Sequence, residues 1–436
     1  MATMKFSKKV SNLAIAGAAL VPVPAWAQVM TNPIPVLPSD YPSERVSVSE
    51  RYRPEFQASG IPLGVLTVLP QVGVGANYTS NVFGTATGAS NDFWLGVDPS
   101  LTITKRGGND DTASFQAKVD AALRRFADEK AANETGLGAE VSATMPMGGG
   151  NYLAGGASAR RNYERQDSGS FPTGALAPIR YAQYIGYLRF RAGGSRIRGT
   201  VAVDVDKTQF NNARLAAGTS FDQGFRDRTV LRGTGRVEAS LTGATSGFVE
   251  GRYSNVNYTR SFITPGVANR DGDQYEGLAG LRIDSGKLRG TVAAGYTRRV
   301  FDSALYRDFG GFALTGQMVY YASGLTTVTL NGFRNITESG DPNISAQFTT
   351  GVNARVDHEL LRYIILSGTA GYNVNTYRGI NREDKLAQVR GSVRYLANRH
   401  FEINAEAAYT KRTSNGAAFG PEYNRFEFGV NLVGRL

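Results

Sequence analysis

A chain of 436 residues with 41% apolar residues and a mean hydropathy of -0.26 holds no internal run approaching the roughly 18 to 20 apolar residues of a membrane-spanning helix. Helical membrane proteins are therefore excluded, and with no cysteine in the chain so are disulfide scaffolds and thiolate chemistry. A formal charge of +11, 52 glycines, 22 phenylalanines and 21 tyrosines describe a basic chain with glycine well above the usual share of about 7%, a mixture that favours β structure.

At the N terminus Lys5, Lys8 and Lys9 precede an apolar run over residues 13–21, and Ala25-Trp26-Ala27 gives a small-x-small pattern before Gln28. This predicts a secretory signal over residues 1–27, cleaved between Ala27 and Gln28, because about ten apolar residues are too few to span a membrane. The mature chain would then carry a formal charge of +8. Residues 28–66 hold six of the sixteen prolines: Pro33, Pro35, Pro38, Pro42, Pro54 and Pro62. Proline lacks the donor that a sheet ladder needs, so this segment is predicted to be an irregular, proline-rich periplasmic arm outside any barrel wall. Three fates are open to it: plugging the periplasmic opening, docking a periplasmic export component, or staying disordered.

From residue 67 to 436 the chain keeps one rhythm of strands with period-2 apolarity separated by connections. The first three strands carry Val72, Val74, Ala76 and Tyr78, then Leu95, Val97, Leu101 and Ile103, then Phe115, Ala117, Val119, Ala121 and Leu123. The pattern recurs over residues 137–145, 153–161, 184–190, 197–205, 231–241, 249–253, 275–283, 288–296, 312–320, 328–330, 346–356 and 366–374. In residues 388–409, Val389, Gly391, Val393 and Tyr395 oppose Gln388, Arg390, Ser392 and Arg394, and Phe401, Ile403, Ala405, Ala407 and Tyr409 oppose Glu402, Asn404 and Glu406. Phe426, Phe428, Val430 and Leu432 mark the last strand, which makes about eighteen, within 16–20.

Connections alternate in length. Turns such as Gly148-Gly149-Gly150-Asn151, Gly193-Gly194-Ser195 and Ser285-Gly286-Lys287 are short, whereas residues 80–91, 167–180, 212–227, 259–272 and 413–422 are long and polar. That asymmetry is the mark of an outer-membrane barrel, with short periplasmic turns and long external loops. Lipid demands that every backbone group be bonded internally, so the sheet must close with its apolar face outward and its wet face inward. The fold class predicted is therefore all-β: a transmembrane, antiparallel, up-and-down β-barrel of about 18 strands over residues 67–436, in the outer membrane of a Gram-negative cell. Lipid and lipopolysaccharide are its expected surroundings. Arg161, Arg165, Arg180, Arg260 and Arg270, near the outer loops, are candidates for lipopolysaccharide phosphates.

The stretch RYRPEFQASGIPLGVLTVLPQVGVGANYTSNVF, residues 51–83, resembles the first-strand region of the proteobacterial outer-membrane family called putative β-barrel porin 2. The resemblance rests on Arg53-Pro54-Glu55, Gly60, Gly64, Leu69-Pro70, Val72, Val74 and Asn81-Val82-Phe83. It implies an outer-membrane porin linked to exopolysaccharide production, and a barrel through which polymer leaves. It supplies no catalytic residue. Outer-membrane barrels commonly end in an aromatic residue, whereas this chain ends in Leu436.

Candidate lumen residues follow from the strand period: Arg189, Arg191, Arg198, Arg232, Arg236, Arg282, Arg390, Arg394, Glu402 and Glu406. Planar guanidinium groups could meet the carboxylates of an acidic polysaccharide. Acidic residues share the same register, among them Asp204, Asp206, Glu238, Glu250 and Glu276, so cross-strand ion pairs are the competing and better supported fate of these charges. Only His358 and His400 could act as an imidazole base, and both fall at expected periplasmic turns, so no enzyme is predicted. No cofactor or metal motif is present, and the basic residues are spread along strands instead of clustered, which argues against nucleic acid. The reading is thus an exopolysaccharide conduit, with a small-solute diffusion porin or a closed structural barrel as its alternatives.

Overall fold

The computed structural model describes residues 46–436, apart from 106–112, 166, 167, 169, 170, 173, 174, 216–218, 340, 342, 417–419 and 421. The signal over residues 1–27, its cleavage between Ala27 and Gln28, and arm residues 28–45 lie outside the described residues.

Eighteen long strands form the wall: β1 (Leu66–Thr79), β2 (Asp92–Lys105), β3 (Ser114–Phe126), β4 (Glu134–Pro146), β5 (Tyr152–Glu164), β6 (Ile179–Gly193), β7 (Ile197–Phe210), β8 (Arg228–Ser240), β9 (Thr245–Tyr258), β10 (Gly272–Asp284), β11 (Leu288–Phe301), β12 (Phe309–Tyr321), β13 (Thr326–Thr337), β14 (Ala346–Leu361), β15 (Ile364–Arg378), β16 (Glu383–Leu396), β17 (Phe401–Asn415) and β18 (Tyr423–Arg435). Each pairs antiparallel with the next, and β1 pairs with β18 from Gln71↔Arg435 to Thr79↔Glu427, so the sheet closes. The strands run from 12 residues in β13 to 16 in β14, longer than the sequence rhythm of about ten. A strand of 13 residues tilted by about 40° rises roughly 33 Å, so the wall extends past the apolar band that creates the sequence pattern.

Alternation then sorts the side chains. Val72, Leu95, Val119, Leu137, Leu188, Val201, Val237, Val249, Leu330, Val352, Val389 and Val430 are all exposed on one face, the outer one. The opposite residues of the same strands, such as Glu250, Arg252, Glu276, Asp384 and Glu402, are buried against the lumen wall. The connections at one end are short, and in 148–150 three successive glycines take positive φ values of 78°, 60° and 81°, a left-handed run that side chains with a Cβ resist.

The arm expectation needs one correction. Ile61–Leu63 is a short strand paired with Val68, Thr67 and Leu66, so the proline-rich segment ends as a hairpin on β1 and the wall begins at Leu66. Pro62 is tolerated there because the strand lies at an edge.

Candidate functional site

The barrel's candidate site is its lumen, bounded by two mouths. At the short-turn mouth, Val48 is fully buried and clusters with Ile365 of β15, Leu396 of β16 and partly buried Phe56. The Val48 amide donates to Thr327 Oγ1 at 3.2 Å, and Ser49 Oγ donates to Asp357 at 3.3 Å. Arg53 donates to Glu359 at 2.7 Å, Arg51 to the same carboxylate at 3.0 Å, and Arg435 to the Phe56 carbonyl at 2.8 Å. Residues 47–56 therefore sit against the inner wall of β13–β16 and β18, and the Arg53-Pro54-Glu55 cluster is part of that anchor. Burial lowers the Arg53 guanidinium below its ordinary value, with Glu359 acting against the shift.

At the long-loop mouth the described residues of the β13–β14 connection, 338, 339, 341 and 343–345, fold in against the inner wall. Strand β12 pairs with β13 only from Leu314↔Arg334 to Tyr321↔Thr327, so the upper part of β13 is free to leave the wall. Ile336, Ala346 and Phe348, which have the lipid-facing parity, are buried with Phe301 and Phe309 of the inner face of β11 and β12. Phe309 and Phe348 meet edge to face at 5.6 Å. Arg270 is fully buried and donates to the carbonyls of Ser339, Asp341 and Ile344 at 2.9, 3.3 and 2.8 Å. Glu338 accepts from the Tyr258 hydroxyl and lies 3.6 Å from Arg299. Burial pushes the Glu338 carboxyl up, but the charges of Arg299, Arg228 and Arg270 outweigh it and hold the group below the ordinary glutamate value.

Within the lumen, the structure places all ten candidate residues on the inward register and joins most of them in rungs. Arg232 lies 2.9 Å from Asp204, and Arg236 lies 2.6 Å from Glu250. Arg252 bridges Glu250 and, at 2.8 Å, Glu276, while Arg282 is 3.1 Å from Glu238. Arg394 grips Glu402 through two bonds of 2.8 and 2.7 Å, Arg435 adds a third contact to Glu402, and Arg390 stands 3.8 Å from Glu406. Arg191 lies over the Tyr152 ring at 6.0 Å, and Arg198 donates to the Gly194 carbonyl at 3.1 Å. Arg189 faces Ala154 and Ala202 across its two ladders and interacts with Asp204 by charge alone.

Two further groups were not singled out by sequence. Phe248, Leu278, Ala293 and Ala313 form an apolar patch on the inner face of β9–β12. Gln317, Asn331, Asn353, Gly371, Gln388 and Thr410 occupy one continuous row across β12–β17, each being the ladder partner of the next. The inward parity of these amides was readable, but their alignment requires the register.

Near the outer rim, Arg180 is exposed on the lipid-facing parity and donates to Asn211 at 3.0 Å. Arg161 shares that parity, opposite Leu137, and Arg260 pairs with Asp222. Arg165 and Arg270 depart from the expectation of lipopolysaccharide contact. Arg165 is tied to buried Glu134 at 2.7 Å, and Arg270 is sealed under the β13–β14 tip, since a cation leaves water only where fixed acceptors replace its hydration.

A closed antiparallel wall of eighteen strands, apolar outside and polar inside, is an integral outer-membrane β-barrel. The chain belongs to the family described as Putative beta-barrel porin 2, whose match covers residues 53–435. No curated protein matches it. Among solved structures it is similar to a mutant ferric enterobactin receptor from Pseudomonas aeruginosa, at 8% identity over 87% of this chain and 81% of that one, with a TM-score of 0.44. It is also similar to the outer membrane protein opdK from Pseudomonas aeruginosa, at 9% identity, 85% and 99% coverage and a TM-score of 0.43. A third similar structure is a bacterial polysaccharide outer membrane secretin, at 9% identity, 84% and 98% coverage and a TM-score of 0.34.

Proposed function

We propose that this porin-family barrel is a non-enzymatic conduit linked to exopolysaccharide export, made with a signal that is removed after Ala27 and inserted with residues 28–66 on the periplasmic side. The observation that carries the reading is the chemistry of the inner wall: most of its charges are paired across strands, as in Arg232–Asp204 and Arg394–Glu402, and much of the rest is amide and hydroxyl. Passage of a hydrated polymer needs many weak contacts and no tight one, and a wall of this kind offers them. Family membership adds the exopolysaccharide link by resemblance.

The test is a clean in-frame deletion with complementation, assaying polymer separately in medium and periplasm. Loss from the medium with periplasmic accumulation supports the conduit. Unchanged pools reject it and favour a diffusion porin for small solutes, a second reading supported by the inward fold of residues 338, 339 and 343–345 at the outer mouth. A mature N terminus other than Gln28, read by mass spectrometry of the purified protein, would overturn the cleavage assignment.

A further inference from the structure

The lumen wall carries a sector of linked ion pairs on β7–β10 and, on β12–β17, one row of residues that is uncharged and regular in its geometry. Gln317↔Asn331, Asn331↔Asn353, Asn353↔Gly371, Gly371↔Gln388 and Gln388↔Thr410 are consecutive ladder partners. Six neighbouring strands thus carry one transverse row with no ionic group in it. Gln317 is exposed, Asn331 and Asn353 are half-buried, and Gln388 donates to Thr410 Oγ1 at 3.1 Å, which fixes that end of the row. Hydroxyl groups flank it, with Thr329 and Thr369 on either side of Arg355 in the row below and Thr315 in the row above.

We propose that this row recognises an uncharged polyhydroxyl chain, a neutral glycan, and that Gln317, Asn331 and Asn353 are its principal contacts. The inference rests on the conduit reading for its biological setting but not for its chemistry. A carboxamide presents donors and an acceptor together, and so does each sugar hydroxyl, so the two surfaces satisfy each other fully. An acidic glycan keeps hydroxyl donors but adds carboxylates, which find no cation within the row and would have to surrender hydration against it.

Nor does the opposite sector favour a polyanion. Its guanidinium groups already hold carboxylates, as in Arg232–Asp204 at 2.9 Å and Arg282–Glu238 at 3.1 Å, and a competing anion would have to break those pairs. Neighbouring strands lie about 4.8 Å apart, a step comparable with one pyranose unit, so a glycan lying along the row places successive sugars on Gln317, Asn331 and Asn353. Repeated contacts of similar strength permit movement along the wall.

The experiment uses the full mature barrel in detergent and in planar bilayers, with two probes of matched length: maltoheptaose and an oligogalacturonate. Calorimetry gives affinity whether or not the pore conducts, and current block gives access to the lumen. The expected result is binding and block by maltoheptaose but not by the oligogalacturonate, with binding weakened at least tenfold in the triple variant Gln317→Ala, Asn331→Ala, Asn353→Ala. The compensating variant Gln317→Ser, Asn331→Ser, Asn353→Ser, which keeps polar groups in the row, should retain part of the affinity and guards against a simple folding defect. Neutralising a charged rung with Arg232→Gln and Asp204→Asn should leave binding unchanged.

Tighter binding of the oligogalacturonate, no binding of maltoheptaose, or equal binding by the folded triple alanine variant would each overturn the proposal. Maltoheptaose binding through the row, in a protein whose deletion leaves polymer secretion unchanged, supports the row and rejects the conduit reading alone.

Discussion

Between β7 and β10 the lumen face carries linked guanidinium–carboxylate rungs, whereas one row across β12, β13 and β14 carries carboxamides and no ionic group. In the first sector Arg252 has only 7% of its side chain exposed and Glu250 none, so each charge depends on a partner one strand away. In the second, Gln317 and Asn331 need no counter-ion and keep contact with water. The comparison teaches that a polar lumen can be rigid on one side and receptive on the other. Ion pairs held this way stiffen a wall and consume its charge, while amides retain bonding capacity for a passing solute.

The sharpest break in that comparison comes from the charged sector. Arg252→Met removes the partner of Glu276 and one of the two partners of Glu250, and should cost about 3–5 kcal/mol. Denaturant-dependent unfolding of the refolded barrel measures it; a loss as small as that of an amide variant would mean the rungs are ornamental. Next, a charge on the wrong face separates inside from outside. Val389 is 59% exposed on the lipid face, and Val389→Arg should destabilise by about 2–4 kcal/mol, while Ser392→Arg, on the inner face of the same strand, should cost far less.

The outer mouth gives a pH-dependent effect of intermediate size. Because the Glu338 carboxyl is held below its ordinary value of 4.5, its stabilisation of the β13–β14 tip is complete above that value and is lost as pH falls through the lowered one. A charged hydrogen-bonded group of this kind contributes about 1.5–3 kcal/mol. Amide protection factors in residues 335–339 and 343–348, taken against the intrinsic rate at each pH, should therefore fall only on acidification below pH 4.5, and Glu338→Gln should lower them at neutral pH as well. The smallest effect belongs to the receptive sector: Asn331→Ala should change unfolding by about 0.5–1.5 kcal/mol or less, since water replaces the amide.

Much of this architecture was legible in the chain. Val389, Val393, Phe401 and Tyr409 against Arg390, Arg394, Glu402 and Glu406 gave both the faces and the lumen register, because a strand's side chains alternate without exception and lipid punishes a slip. Long and short connections gave the two ends. Less could be read where a segment leaves the wall: Phe348 and Ile336 have lipid-facing parity yet are buried inside the mouth, and Arg270 looks like a rim cation but is a fully buried latch. Period-2 reasoning assumes an unbroken ladder, and the β12–β13 ladder stops at Leu314↔Arg334.

The sequence by itself pointed to an outer-membrane barrel of about eighteen strands, each with an apolar and a polar face, since hydrophobic alternation and backbone bonding in lipid are local demands that each strand records independently. Only the tertiary structure decided which charges neutralise one another, that amides from β12, β13, β14 and β16 align in a single row, and that residues 47–56 at one mouth and 338, 339 and 343–345 at the other fold against the inner wall. Those are matters of register and of contact between distant segments, and neither is written in the period of any one strand.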